Sequence, residues 1–148
     1  MLVPLVLVLL LVLLSNGDRP EPELPPLTAR DGILEFTVDA LRCGQSEVGA
    51  RRAQGQLCTV RLRVSNFGTS ARRVDVGSQT LYDGAGRAYD ADRTAWTYLP
   101  ESAPFFRQEI NPGNELTATL VFDVAADAEP ERLEVHDSPF SGGASITL

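Results

Sequence analysis

The stretch "NPGNELTATLVFDV", residues 111–124, contains the longest two-residue alternation in the chain. Its apolar positions on one face are Leu116, Ala118, Leu120, Phe122 and Val124, and Val121 is the one apolar residue on the other face. Because side chains two apart in a strand share a face, this pattern predicts a strand that covers a core on one side. The opening "NPGN" places Pro112 and Gly113 at the two central positions of a type II turn, which therefore starts the strand.

The same alternation recurs in residues 34–40, 58–64, 132–136 and 144–148, with turn residues between the segments. No apolar pattern of helical period and helix length follows residue 27. About seven to nine short strands, each with one apolar face, are typical of antiparallel sheets packed face to face. We therefore predict an all-β, immunoglobulin-like antiparallel two-sheet β-sandwich over residues 28–148.

The N-terminal residues 1–14, "MLVPLVLVLLLVLL", carry no charged side chain. As a helix they would be about 21 Å long, shorter than the hydrocarbon core of about 30 Å. Residues 1–17 are therefore expected to be a signal peptide, a short membrane anchor, or the end of a longer anchor that starts upstream. Residues 18–27 are a Pro-rich linker, and such a spacer favours an anchor. All three alternatives place the domain outside the cytoplasm, in the cell envelope or secreted.

The charge balance argues against a nucleic-acid partner. The net charge is −7, and all 13 basic residues are arginines without a basic stripe. No motif indicates a cofactor. We expect a monomer that binds an unknown protein or envelope ligand, and that contacts the membrane through residues 1–14.

Two cysteines, Cys43 and Cys58, lie at the edges of predicted strands with 14 residues between them. An even number of cysteines in an exported domain predicts a disulfide. A zinc site is not indicated, because neither cysteine has a histidine neighbour.

Three aspartates, Asp83, Asp90 and Asp92, surround two glycines in "QTLYDGAGRAYDAD", residues 79–92. Aspartate and glycine are the usual residues of a hairpin turn, which is the interpretation we favour. The spacing does not match a calcium loop, but a surface calcium site remains the alternative, with Asp90 and Asp92 on one strand face.

The only histidine, His136, lies in "HDSPFSGG", residues 136–143, beside an aspartate and two serines. A hydrolase using His136 is a further alternative. Neighbouring strand residues point to opposite faces, so His136 and Asp137 cannot both serve one nucleophile, and a turn is favoured. No catalytic residue is assigned, and the protein is not expected to be an enzyme.

The aromatic residues Trp96, Tyr98, Phe105 and Phe106 lie in a connection with two prolines and poor alternation. They either cap the core, which we favour, or form an exposed binding patch. If any surface binds a partner, this patch is the candidate.

The ordered motifs "QTLYD", "INPGN", "VFDV" and "HDSPFSGG" resemble a domain-of-unknown-function family of exported actinobacterial proteins. That family is grouped with the mycobacterial immunoprotective extracellular antigen. The resemblance covers about residues 31–148. It implies an immunoglobulin-like sandwich, export through an N-terminal hydrophobic segment and the cysteine pair, and it implies no established activity.

Overall fold

A computed structural model describes residues 27–148 of the chain. The predicted signal or anchor and nearly all of the Pro-rich linker lie outside this range. Eight strands form within it: β1 (Thr28–Asp31), β2 (Leu34–Val48), β3 (Arg51–Asn66), β4 (Thr80–Asp83), β5 (Ala88–Asp90), β6 (Glu115–Val124), β7 (Pro130–Val135) and β8 (Ala144–Thr147). One short helix, α1 (Ala103–Arg107), follows two 3₁₀ turns at Ala95–Thr97 and Pro100–Ser102, and a further 3₁₀ turn spans Val76–Ser78. None of the helices in residues 27–148 is long and apolar enough to cross a membrane.

The strands form two antiparallel four-stranded sheets, in the orders β1-β2-β3-β6 and β5-β4-β7-β8. Their inner faces pack together in one main core, whose largest buried side chains include Phe36, Leu62, Leu81, Leu133 and Phe122. The predicted all-β, two-sheet sandwich is confirmed.

The apolar side chains of strand β6 point into the core, as predicted. Leu120 and Phe122 are fully buried and lie opposite Val60 and Cys58 of β3. The preceding turn is also as predicted, since Gly113 has φ of +79° and the Asn114 N–H donates to the Asn111 carbonyl at 3.0 Å. Only glycine adopts this backbone conformation without strain, so the turn fixes where β6 begins.

The segment between the cysteines differs from the prediction. Cys43 and Cys58 form the predicted disulfide, but they lie inside β2 and β3, not at strand edges. The residues between them continue both strands into a long hairpin, with register shifts near Val38, Arg42 and Gln45. Sequence alternation fails here because most of this arm is exposed, so no buried face selects apolar residues at every second position.

Candidate functional site

The four aromatic residues of the candidate patch do not form one exposed surface. Phe105 is 1% exposed and belongs to the main core. Tyr98 and Phe106 are half-buried and pack against a second apolar cluster, while Trp96 is 37% exposed, with the Arg107 guanidinium 5.4 Å from its ring centroid. Burial thus favours the core-capping interpretation of this connection.

The reason for this burial is the free edge of β6. The chain between β5 and β6 runs along that edge: Asp92 N–H donates to the Val121 carbonyl at 2.8 Å, and Thr119 N–H donates to Ser102 Oγ at 3.0 Å. An uncovered edge strand can pair with a strand of another chain through its free N–H and C=O groups. The β5–β6 connection covers the edge of β6 and so hinders such pairing. Val121 packs with Leu57 and Ala95 on the outer face, which explains the one apolar residue that broke the β6 pattern.

The two most exposed phenylalanines lie elsewhere. Phe140 is 97% exposed and Phe67 is 58% exposed. The β1–β2 turn contacts both of their loops, since the Phe67 N–H donates to the Ile33 carbonyl at 2.9 Å and Asp31 accepts a hydrogen bond from the Ser141 hydroxyl. The Arg30 guanidinium stacks on the Phe67 ring, 4.2 Å from its centroid. We call Phe67, Phe140 and Arg30 the aromatic end.

Three hydrogen bonds position the loop that carries Phe140. A turn closes it, because the Ser141 N–H donates to the Ser138 carbonyl at 3.2 Å. The Asp137 N–H donates to Asp31 Oδ2 at 2.7 Å, and the buried Asp137 carboxylate accepts the Ile33 N–H at 2.9 Å. Hydrogen bonds on both sides of the turn therefore fix the position from which Phe140 projects.

Asp137 also connects this loop to neighbouring segments. Arg72 Nη1 lies 3.1 Å from Asp137 Oδ1, an ion pair without hydrogen-bond alignment. Gly32 has φ of +59°, and a Cβ at this position would lie 2.1 Å from Asp137 Oδ2. Gly32 is therefore required both for the backbone of the β1–β2 turn and for the close approach of Asp137.

His136 lies beneath the loop. Its Nε2 is 2.9 Å from Glu134 Oε1, and its Nδ1 is 3.2 Å from the Ser141 carbonyl and 3.3 Å from Ser141 Oγ. The hydrogen bond with His136, together with one from Arg132, outweighs burial and lowers the pKa of Glu134. Burial raises the pKa of Asp31. The hydrogen bonds from Ser141 and Asp137 outweigh burial, so the net effect is a lowered pKa.

This geometry differs from that of a catalytic triad. A nucleophilic serine donates its proton to the histidine, whereas the Ser141 hydroxyl donates to the Asp31 carboxylate. His136 Nδ1 also lies 3.2 Å from the Ser141 carbonyl, so the ring is in polar contact with the backbone of this loop. The cluster is arranged to hold the loop.

The three aspartates of the predicted turn bind different partners. Asp83, at the end of β4, accepts Arg87 Nε at 2.7 Å and the Tyr89 hydroxyl at 2.9 Å. Asp90 accepts the Thr80 hydroxyl at 3.3 Å, and Asp92 accepts the Tyr98 hydroxyl at 2.6 Å.

Residues 80–90 form the favoured hairpin, but β5 ends at Asp90. The expectation that Asp90 and Asp92 share a strand face is therefore wrong. Within residues 27–148, no group of three or more His, Cys, Asp or Glu side chains is placed to hold a metal ion.

The sequence reasoning missed Phe67 and Phe140. Phe67 follows the last residue of β3, and Phe140 follows Pro139 inside a turn, so neither continues an apolar face. A large aromatic residue at a turn position, outside every alternating segment, was the available signal.

Known structures share the fold. The secreted protein MPT63 from Mycobacterium tuberculosis aligns with a TM-score of 0.61 at 17% identity, over 84% of this chain and 92% of that protein. A functionally unknown protein from Listeria monocytogenes has a TM-score of 0.54 at 13% identity, over 82% and 80%. A proposed lipoprotein, ycdA from Bacillus subtilis, has a TM-score of 0.55 at 18% identity, over 84% of this chain and 39% of that protein.

Among curated proteins, none matches the sequence significantly. A family model does match, that of the domain of unknown function DUF4352, over residues 27–145. This match covers most of the chain and the whole sandwich except its last residues. The chain therefore belongs to the DUF4352 family.

Proposed function

We propose that the protein is an exported, non-catalytic β-sandwich module that acts by binding a protein or another envelope ligand through its aromatic end. The observation that carries this proposal is Phe140, which is 97% exposed on a loop fixed by hydrogen bonds. A phenylalanine in that position adds nothing to the core of its own domain. Transferring it into an apolar pocket of a partner would contribute about 1.5–3 kcal/mol.

The rigidity of the loop supports this assignment. Binding costs free energy when side chains and loops must be ordered, and a loop that is already ordered avoids part of this cost. Asp31, Asp137 and Ser141 supply that order without covering the Phe140 ring. Phe67, whose loop also bonds to the β1–β2 turn, and Arg30 add an aromatic ring and a stacked guanidinium, and phenylalanine and arginine are both enriched at interfaces.

Export and tethering are proposed on separate grounds. The hydrophobic residues 1–14 and the Pro-rich linker are what a tethered envelope domain requires. The Cys43–Cys58 disulfide suits an oxidising compartment. MPT63 is a secreted protein and ycdA a proposed lipoprotein, which agrees with a location outside the cytoplasm.

The alternatives have weaker support. A hydrolase would need Ser141 to donate to His136, and its hydroxyl donates to Asp31 instead. A calcium module would need Asp83, Asp90 and Asp92 around one ion. Asp83 already binds the Arg87 guanidinium, which a cation would have to displace.

A quantitative pull-down from envelope extract tests the proposal. Residues 27–148 are compared with a Phe67→Ala/Phe140→Ala double variant and with Trp96→Ala as the matched aromatic control. We expect a component enriched by the wild-type domain and by Trp96→Ala but lost from the double variant. Equal enrichment by all three proteins would refute a role of the aromatic end.

A further inference from the structure

A cavity of about 290 Å³ lies where two of the three connections between the sheets meet. Its lining residues are Arg73, Val74, Asp75, Val76, Arg93 and Phe106. The first four belong to the segment before β4, and the last two belong to the connection between β5 and β6. The lining of the cavity thus combines two arginines and one aspartate with apolar and aromatic residues.

The Arg93 side chain is 67% exposed, and Asp75 and Gly77 contact its guanidinium. Its Nη1 donates to Asp75 Oδ1 at 3.0 Å, and Asp75 is itself bound by the Ser78 hydroxyl at 2.5 Å. The guanidinium also lies directly against Gly77, where an added Cβ would be 2.1 Å from its Cζ. Because Nη1 is engaged by Asp75, the remaining N–H groups of Arg93 are those that a ligand can use.

Arg73 supplies the uncompensated charge. It is exposed, and it makes no ion pair within the part of the chain that the structure describes. Two guanidinium groups and the Asp75 carboxylate leave one positive charge at the cavity. A ligand with a single negative charge neutralises this charge, whereas a doubly charged phosphate would leave an excess negative charge beside Asp75.

We infer that this cavity binds a carboxylate carried by a small apolar or aromatic group. The planar guanidinium fork matches the two oxygens of a carboxylate. The apolar part of the ligand would pack against Phe106 and Val76. The volume lies at the small end of ligand sites, which suits one ring or one side chain. The site is distinct from the aromatic end and goes beyond the function proposed for it.

Such a carboxylate could belong to a free organic acid or to the C-terminus of another chain. Calorimetric titration of the full chain in neutral detergent separates these sources, with benzoate for the free acid and N-acetylphenylalanine for a chain end. Benzamide, which has the same ring without the charge, and inorganic phosphate are the controls. We expect saturable binding of benzoate, of N-acetylphenylalanine or of both, and binding of benzamide weaker by about tenfold or more.

Variants then assign the site. Arg73→Ala and Arg93→Ala should each weaken carboxylate binding by about tenfold, since each removes one charged hydrogen-bond donor. Gly77→Ala should weaken it as well by displacing the Arg93 guanidinium. Arg61→Ala, an exposed arginine on the outer face of β3, is the matched control and should bind like the wild type.

The inference is overturned if neither carboxylate binds, if benzamide binds as well as benzoate, if phosphate binds more tightly than either carboxylate, or if Arg73→Ala binds like the wild type. The Phe67→Ala/Phe140→Ala variant should retain carboxylate binding. This separates a failure of the cavity from a failure of the aromatic end, and circular dichroism of each variant excludes unfolding as the cause.

Discussion

Two groups of aromatic residues, both outside the alternating strands, have opposite environments in this domain. In the connection between β5 and β6, Phe105 is 1% exposed. At the aromatic end, Phe67 and Phe140 are 58% and 97% exposed. The first group covers the edge and outer face of β6, while the second projects from loops that hydrogen bonds hold in place.

The difference shows that residue type does not decide whether a loop aromatic is structural. An aromatic residue in a loop is buried where the loop crosses an apolar surface that would otherwise be exposed to solvent. The β5–β6 connection does so, because β6 is an edge strand and Val121 faces outward. The 136–143 loop crosses no such surface, and its contacts with the domain are mainly polar.

The largest expected effect is on the buried group. Phe105→Ala should lower the free energy of unfolding by about 3–5 kcal/mol, because it leaves a cavity in the main core. Trp96→Ala, in the same connection but 37% exposed, should cost clearly less. Urea unfolding of both variants measures the difference. Similar losses would mean that the connection does not cap the core as described.

A smaller loss is expected at the turn before β6. Gly113→Val should cost about 1–3 kcal/mol, because valine is strained at the φ of +79° observed for Gly113. A Cβ at this position meets no atom within 4 Å, so the cost is conformational and not steric. Asn114→Ala should cost less. Equal urea midpoints for the two variants would show that the turn does not set the register of β6.

The pH dependence of stability tests whether Asp83 is structural. Burial raises its pKa, but hydrogen bonds from Arg87 and Tyr89 outweigh this effect and lower it below the ordinary value. A lowered pKa stabilises the fold above the ordinary aspartate pKa of about 3.9, and this contribution is lost as pH falls through the lower value in the folded state.

Asp83→Asn should therefore be less stable at neutral pH and lose less stability between about pH 4 and pH 2 than the wild type. Asp90→Asn, at an exposed position in the same hairpin, is the matched control. Urea midpoints at several pH values supply the readout. Parallel pH curves for Asp83→Asn and the wild type would contradict the structural role of Asp83.

The smallest effect on stability is expected at the aromatic end. Phe140→Ala should change the free energy of unfolding by less than about 0.5 kcal/mol, because an almost fully exposed side chain has little packing to lose. The urea midpoint measures this. A loss comparable to that of Phe105→Ala would place Phe140 in the fold and remove it from the candidate surface.

The sequence predicted those parts of the fold where a buried face imposes a period. The facing of β6, its type II turn and the hairpin at Asp83 all follow from local rules on alternation and turn residues. The long arm between Cys43 and Cys58 was not predicted, because its strands are mostly exposed and carry no alternation.

The candidate site could not be predicted in the same way. Asp31, Asp137 and Ser141 meet only after β1 and β7 are brought to the same end of the sandwich, more than 100 positions apart in sequence. The burial of Phe105 and the exposure of Phe140 likewise depend on which sheet edge each loop crosses. Such relations are properties of the assembled sheets and not of local sequence.

Site-specific photocrosslinking in cells that produce the full chain tests the central claim most directly. The photoreactive residue p-benzoylphenylalanine replaces Phe140 in one variant and Trp96 in the other. If the aromatic end is the binding surface, position 140 will give a discrete crosslinked partner that the additional Phe67→Ala substitution weakens, and position 96 will not give this product. Crosslinking of the same partner at position 96 with none at position 140 would contradict the account.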